Sequence, residues 1–189
     1  MNKQIVEAFR EIVEKVEDNV LAKLQQYDAN IQTVHYEHGH YAEIANTLIN
    51  FDKSPDFYNK KYPLIALFED IRETIKDDIT TANLSLIICY STKSEYKSAD
   101  RYAEVIDPIL EVIYDELIEQ ITTYPYFKGY DIPHSKIIRP YWGVEGKMGN
   151  RANIFGDFLD AIELNSLIIR YEKSFCNPTN NKTWQLLTD

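Results

Sequence analysis

The chain has 189 residues, with 20 Lys and Arg against 30 Asp and Glu for a formal net charge of −10, and it holds 14 Tyr but only 6 Gly, 7 Pro and 2 Cys. This composition excludes a disordered chain, a collagen repeat and a disulfide scaffold, and a length of this order fills a single core. The acid surplus argues against tight binding to DNA or anionic lipid through phosphate neutralisation, and Cys89 and Cys176 alone fit a reducing compartment.

The start, Met1 to Glu7, turns acidic before an apolar leader core can form, so no signal peptide is expected. No apolar run approaches the ~20 residues of a membrane span. Residues 3–26 read as a helix, because Ile5, Phe9, Ile12, Val16, Val20 and Leu24 recur at three- and four-residue steps. Asp28-Ala29-Asn30 ends it. Thr33 and Val34 favour a short strand from Ile31 to Tyr36, and a small helix follows over Tyr41–Ile49. Asp52–Lys61 is a polar loop, and Pro63 opens a strand over Leu64–Ile71.

Residues Ala82–Tyr90 alternate cleanly. Ala82, Leu84, Leu86, Ile88 and Tyr90 share one face, while Asn83, Ser85, Ile87 and Cys89 share a mixed one, which suits a sheet whose second face is only partly covered. Ala99–Ile121 is the main helix, with a wide apolar stripe interrupted at Asp107-Pro108, where a kink or a restart capped by Asp107 is expected. Thr122–Ser135 is a loop dense in aromatics. Lys136–Trp142 is a strand, Gly143–Arg151 a wide turn, and Asn153–Tyr171 the last strand. In that strand Ile162 and Leu164 share one parity but Leu167 and Ile169 the other, so a β-bulge is expected at Asn165-Ser166.

The element order predicts one α+β domain over residues 1–173: a mostly antiparallel sheet of four to five strands with two amphipathic helices packed on one face. Residues 174–189 read as an extended C-terminal arm whose anchors are Trp184, Leu186 and Leu187.

Chemistry is harder to find. His35, His38 and His40 alternate in an extended run, so no face collects three ligands, and the spacing does not fit HExxH. Glycines 143, 146 and 149 do not fit a phosphate-binding GxxxxGK[ST] loop. Cys89 lies mid-strand, no GxSxG occurs, and Glu69-Asp70 and Asp77-Asp78 read as solvated acids at turns. No catalytic residue, metal ligand or cofactor site is assigned.

Three stretches together resemble a known family. They are Phe51-Asp52-Lys53-Ser54 leading to Lys61-Tyr62-Pro63-Leu64-Ile65-Ala66-Leu67-Phe68-Glu69-Asp70, then Ser91-Thr92-Lys93 through Arg101-Tyr102 into the Pro108 helix, and Tyr141-Trp142-Gly143 through Gly149-Asn150 to Ile154-Phe155. In this order, over residues 30–173, the chain resembles the small neck or tail-completion proteins of tailed bacteriophages that infect gut Bacteroidetes, including the crAss-like phages. The resemblance implies a tail-terminator-like α+β fold assembled as a six- or twelve-fold homo-oligomeric ring. It implies a virion protein, made in the host bacterial cytoplasm, that sits between portal and tail and contacts adjacent portal, connector or tail proteins. DNA is then passing cargo in the lumen, with no membrane, cofactor or enzymatic residues.

Ring interfaces favour aromatic anchors, which makes Tyr124, Tyr126, Phe127, Tyr130, Tyr141, Trp142, Trp184, Leu186 and Leu187 the interface candidates. Two other readings stand beside this one. The first is a small metal-dependent or nucleotide-handling enzyme built on the histidines and the glycine turn; the second is a non-virion phage protein that binds a host partner.

Overall fold

A continuous apolar stripe fixes how the first helix, α1 (Lys3–Leu24), sits in the fold: Ile5, Phe9, Ile12, Val16, Val20 and Leu24 are all fully or almost fully buried. The computed structural model describes residues 3–51, 53, 60–129, 131–145, 152–153 and 156–172. Within them follow β1 (His35–Gly39), α2 (Tyr41–Phe51), β2 (Leu64–Phe68), β3 (Arg72–Lys76) and β4 (Ile79–Ser91). A long helix, α3, then runs without a break through Ser98–Arg101, Tyr102–Leu110 and Glu111–Thr123. The chain continues with β5 (Ser135–Trp142), β6 (Val144–Glu145), β7 (Ala152–Asn153) and β8 (Leu159–Glu172).

Six strands form one mixed sheet in the order β1-β2-β4-β8-β5, with β3 paired to β4 beside β2, while β6 and β7 make a separate two-stranded hairpin. The long strands β4 and β8 are its antiparallel spine. Helices α1 and α3 cover one face, where Leu84, Leu86, Ile88, Leu164, Leu167 and Ile169 meet Phe9, Ile12, Ile109, Ile113 and Leu117. The expected α+β class and the pairing of both amphipathic helices with one face therefore hold.

Several expectations need correction. The sheet has six strands, and one pairing is parallel: β1 lies beside β2 with His35 opposite Leu64, and α2 is the crossover. The strand expected at Ile31 begins only at His35. The Glu17 carboxylate of α1 accepts the Val34 N–H at 2.7 Å, which takes that donor out of any ladder, and the Thr33 hydroxyl as well. Ile31 and Val34 are buried all the same.

The run expected to continue to Ile71 stops at Phe68, because Ile71 N–H closes a tight turn onto Glu69 O at 2.7 Å. The next five residues form β3, whose side chains are all exposed and so lack a hydrophobic period. Asp77 and Asp78 are the two-residue turn from β3 to β4, with Asp77 at φ 54°.

Pro108 neither restarts α3 nor makes Asp107 a cap. The helix widens to a π-helical stretch, with Glu111 N–H donating to Ile106 O, and this absorbs the missing proline N–H. α3 starts earlier, at Ser98, where Lys97 N–H is held by the Asp100 carboxylate at 2.9 Å.

The expected bulge is present. Leu84 pairs with Leu167 and Leu86 with Leu164, so Asn165 and Ser166 together face Ser85, and Ser166 takes φ 55°. Ile162, Leu164, Leu167 and Ile169 consequently all reach the same core. The strand itself is shorter than expected and starts at Leu159.

Candidate functional site

The second face of the sheet is divided. Over one half, Ile44, Ala45 and Leu48 of α2 pack on Leu64, Ala66, Ile87, Cys89, Leu159 and Ala161. Over the other half no described element lies on it. Burial along β4 shows where the cover ends: residues 86–90 are buried on both faces, whereas Thr81, Asn83 and Ser85 are half-buried and Ile79 is exposed. β8 repeats the pattern, with Glu163, Asn165 and Ile168 half-buried and Arg170 and Glu172 exposed. Register places Arg72 beside Asn83 and Ile168, Thr74 beside Thr81 and Arg170, and Lys76 beside Ile79 and Glu172. The open half-face is therefore a polar surface rich in Thr, Asn and Arg.

The structure redistributes the aromatic candidates. Tyr124 is a core residue, 5% exposed, and its hydroxyl donates to Glu11 at 2.8 Å, so it presents no ring to a partner. Phe127 packs on the core against Phe9 and Tyr124 and bridges to Tyr171. Tyr126, in the same loop, is 49% exposed. Trp142 packs edge-on against Tyr41 beside α2, and Tyr141 lies over Arg101. Tyr130, Trp184, Leu186, Leu187 and the expected arm lie outside the described residues.

Tyrosine hydroxyls tie distant segments together. Tyr36 donates to Val6 O, Tyr90 to Asp28, Tyr141 to Ser94 O and Tyr171 to Glu73, while Tyr114 shares a bond with His134. Burial, with a smaller upward push from Glu7 and Glu37 against the Arg10 charge, raises the Tyr36 phenol. Burial and the carboxylates of Asp28 and Glu11 raise Tyr90 and Tyr124. Composition marks Tyr as an interface residue as readily as a core one. Only long-range partners decide between the two, and one sequence does not show them.

A charged cluster that sequence reading missed joins α3 to the sheet. Arg101, 4% exposed, donates Nη1 to the fully buried Asp160 at 3.1 Å and Nη2 to Tyr96 O at 2.6 Å. Asp160 Oδ1 also accepts the Tyr141 N–H at 3.1 Å. That contact depends on a second bulge, where Pro140 and Tyr141 together oppose Asp160 and Tyr141 takes φ 52°. Among the described residues, Asp160 Oδ2 and Thr92 Oγ1 are buried without a hydrogen-bond partner. The available signal was Asp160, a single acid set between Phe158-Leu159 and Ala161-Ile162, whereas Arg101 sits among Lys97, Asp100 and Glu104 and carried none.

A cleft of about 380 Å³ is lined by Asp28, Asn30, Lys61, Tyr62, Tyr90 and Asp157. Its charges are internally matched: Lys61, 1% exposed, donates to Asp157, and Asp28 accepts from Tyr90 at 2.6 Å. Burial alone would raise the Asp28 carboxyl, but the bonds from Tyr90 and from the Asn30 backbone and side chain outweigh it and hold the group below its ordinary value.

The histidines separate as their alternation requires. His35 turns to Glu37 at 2.9 Å, His38 to Leu67 O, and His40 accepts the Ala42 N–H. Among the described residues no group of three or more His, Cys, Asp or Glu is placed to share a metal ion. Cys89 is fully buried, and burial pushes its thiol well above the ordinary value, as for a small core hydrophobe. Val144–Glu145 pairs antiparallel with Ala152–Asn153, and residues 146–151 of the glycine turn lie outside the described residues. Among the described residues no helix is long and apolar enough to cross a membrane. No family model and no curated protein matches the chain.

Proposed function

We propose that the protein is a virion structural subunit that assembles into a homo-oligomeric ring in the neck or tail of a tailed bacteriophage, between portal and tail, with DNA passing through the lumen. The observation that carries this reading is the half of the sheet that the described elements leave open, from Ser85 to Ile79 on β4 and from Glu163 to Glu172 on β8. A sheet face that the described elements leave uncovered is a surface on which a second molecule gains contacts at little ordering cost. The net charge of −10 suits a conduit, since a lumen that lets DNA slide avoids strong phosphate contacts. The segment beyond β8, with Trp184, Leu186 and Leu187, reaches a neighbouring subunit or connector in this reading, and the fold is of the tail-terminator kind.

The test is proteomic and cross-linking mass spectrometry on particles purified from infected cells. Intersubunit cross-links at stoichiometric abundance support the reading. Absence of the protein from washed particles removes it in favour of a non-virion role.

A further inference from the structure

The two layers of the molecule carry opposite charge. Between Tyr102 and Thr123, α3 contains Glu104, Asp107, Glu111, Asp115, Glu116 and Glu119 and no Lys or Arg. Glu111 is matched by Lys136, and Glu116 takes amide bonds from Asn19 and Gln120. Asp107, Asp115 and Glu119 are exposed and stand in no ion pair among the described residues, with the exposed ring of Tyr102 (45%) on the same helix.

On the opposite side of the sheet the sign is reversed. Arg72, Lys76 and Arg170 share the open half-face with Glu163 and Glu172, and Arg139, in register with Ala161 at its border, reaches Glu163. Glu163 is held by Arg139 and Glu172 by Lys128. Arg72, Lys76 and Arg170 are exposed, and among the described residues none of them is in an ion pair. Strands in one sheet stand ~4.8 Å apart and rise ~3.3 Å per residue, so these three cations lie within roughly 15 Å of one another. Between them run the neutral side chains of Thr74, Thr81, Asn83 and Ile168, with Ile79 beside them. A surface with apolar and hydroxyl side chains at its centre and uncompensated charge at its rim has the anatomy of a protein interface.

We infer that the open sheet face and the outer face of α3 are the two halves of one head-to-tail interface, with a second copy of this chain laying its acidic α3 across the basic sheet face of the first. The inference refines the assembly reading above by naming its surfaces. The two halves sit on opposite sides of one molecule, so the contact is heterologous, and repeating it closes a ring wherever the rotation between copies allows. Opposite signs also set the orientation, because sheet on sheet or helix on helix would juxtapose like charges. A DNA strand is the poorer occupant: three unengaged cations neutralise few phosphates, and the rest of the chain repels them.

The experiment is sedimentation velocity on the full chain at ~50 mM and ~500 mM salt, where attraction between exposed charges is screened at the higher value. Wild-type association is expected to weaken at least tenfold across that range. A sheet variant, Arg72→Glu/Lys76→Glu/Arg170→Glu, and a helix variant, Asp107→Lys/Asp115→Lys/Glu119→Lys, should each self-associate about 100-fold more weakly. Their melting curves should match wild type, because every altered side chain is exposed. Mixed together, the two variants should associate again, each supplying the complement the other lacks. If wild type assembles and both variants assemble equally well, the surfaces are wrong while assembly stands. If wild type stays monomeric, both fall; a monomer that binds a 30-base-pair duplex through Arg72, Lys76 and Arg170 assigns the face to nucleic acid instead.

Discussion

Arg101 lies over the ring of Tyr141, its guanidinium carbon 3.5 Å from the ring centroid, at the sheet's second bulge. The same guanidinium pairs with the buried carboxylate of Asp160, and Tyr141 N–H binds the same Asp160 oxygen. A cation, a ring and an acid thus lock the first turn of α3 onto the β5–β8 edge. Such a pair contributes little net stability against an apolar equivalent, but removing one member leaves the other charged in a dry site.

Arg101→Met is therefore expected to destabilise the fold by about 3–5 kcal/mol, because Asp160 is left buried without the guanidinium that pairs with it. Arg101→Met/Asp160→Asn should recover a substantial part of that loss. Urea unfolding of both variants checks the point: a double variant that is no more stable than the single one would mean the cost is packing rather than charge.

Sequence legibility followed the hydrophobic period. The stripes of α1 and α3, the alternation of β4 and the bulge at Asn165-Ser166 were all readable, because each places apolar side chains at intervals that only one geometry buries. Strand β3 was not, since all its side chains face solvent and nothing distinguishes them from a loop. The onset of β1 was not, because Glu17, eighteen residues upstream of His35, decides it through the Thr33 and Val34 bonds. The same holds for the surfaces. The buried place of Tyr124 has no sequence signal, because the group that holds its hydroxyl, Glu11, lies 113 residues away. The basic half-face appears only when β3, β4 and β8 are laid side by side.

Tyr90→Phe tests the Asp28 bond through pH. The folded protein holds Asp28 below its ordinary value, so the bond adds stability that is present above the unfolded-state pKa near 4 and is lost as pH falls through the lower folded value. The substitution should cost about 1 kcal/mol near pH 7, discounted for the partial exposure of Asp28. That deficit should shrink toward zero as Asp28 is protonated. A deficit that stays constant from pH 7 to pH 2.5 would assign it to packing.

The bulge on β8 predicts an unusual tolerance. Asn165 and Ser166 share one place opposite Ser85, so deleting Ser166 leaves a regular strand in which Ile162, Leu164, Leu167 and Ile169 still face the core. Deleting Ile168 instead turns Ile169 and Tyr171 away from it. We expect the Ser166 deletion to cost about 1–2 kcal/mol and the Ile168 deletion to abolish cooperative unfolding, since it strips several buried side chains from the core. Ser166→Gly should be neutral or slightly stabilising, because glycine adopts the positive φ of this position without strain. Thermal melts of the three variants decide the matter, and equal losses for the two deletions would rule out the bulge as the source of the tolerance.

The last prediction concerns Trp184, which the sequence places seventeen residues past Leu167 in an Asn- and Thr-rich segment with Leu186 and Leu187. In the assembly reading these side chains serve a neighbouring subunit, so Trp184→Ala should leave the monomer melting temperature within about 1 °C of wild type. Association in the same sedimentation experiment should fall about tenfold or more, as for a buried aromatic anchor. The opposite pattern, a melting temperature lowered by several degrees with association unchanged, would show that Trp184 packs on its own chain. The arm would then be part of the domain, and the open sheet face would have to hold the ring together without it.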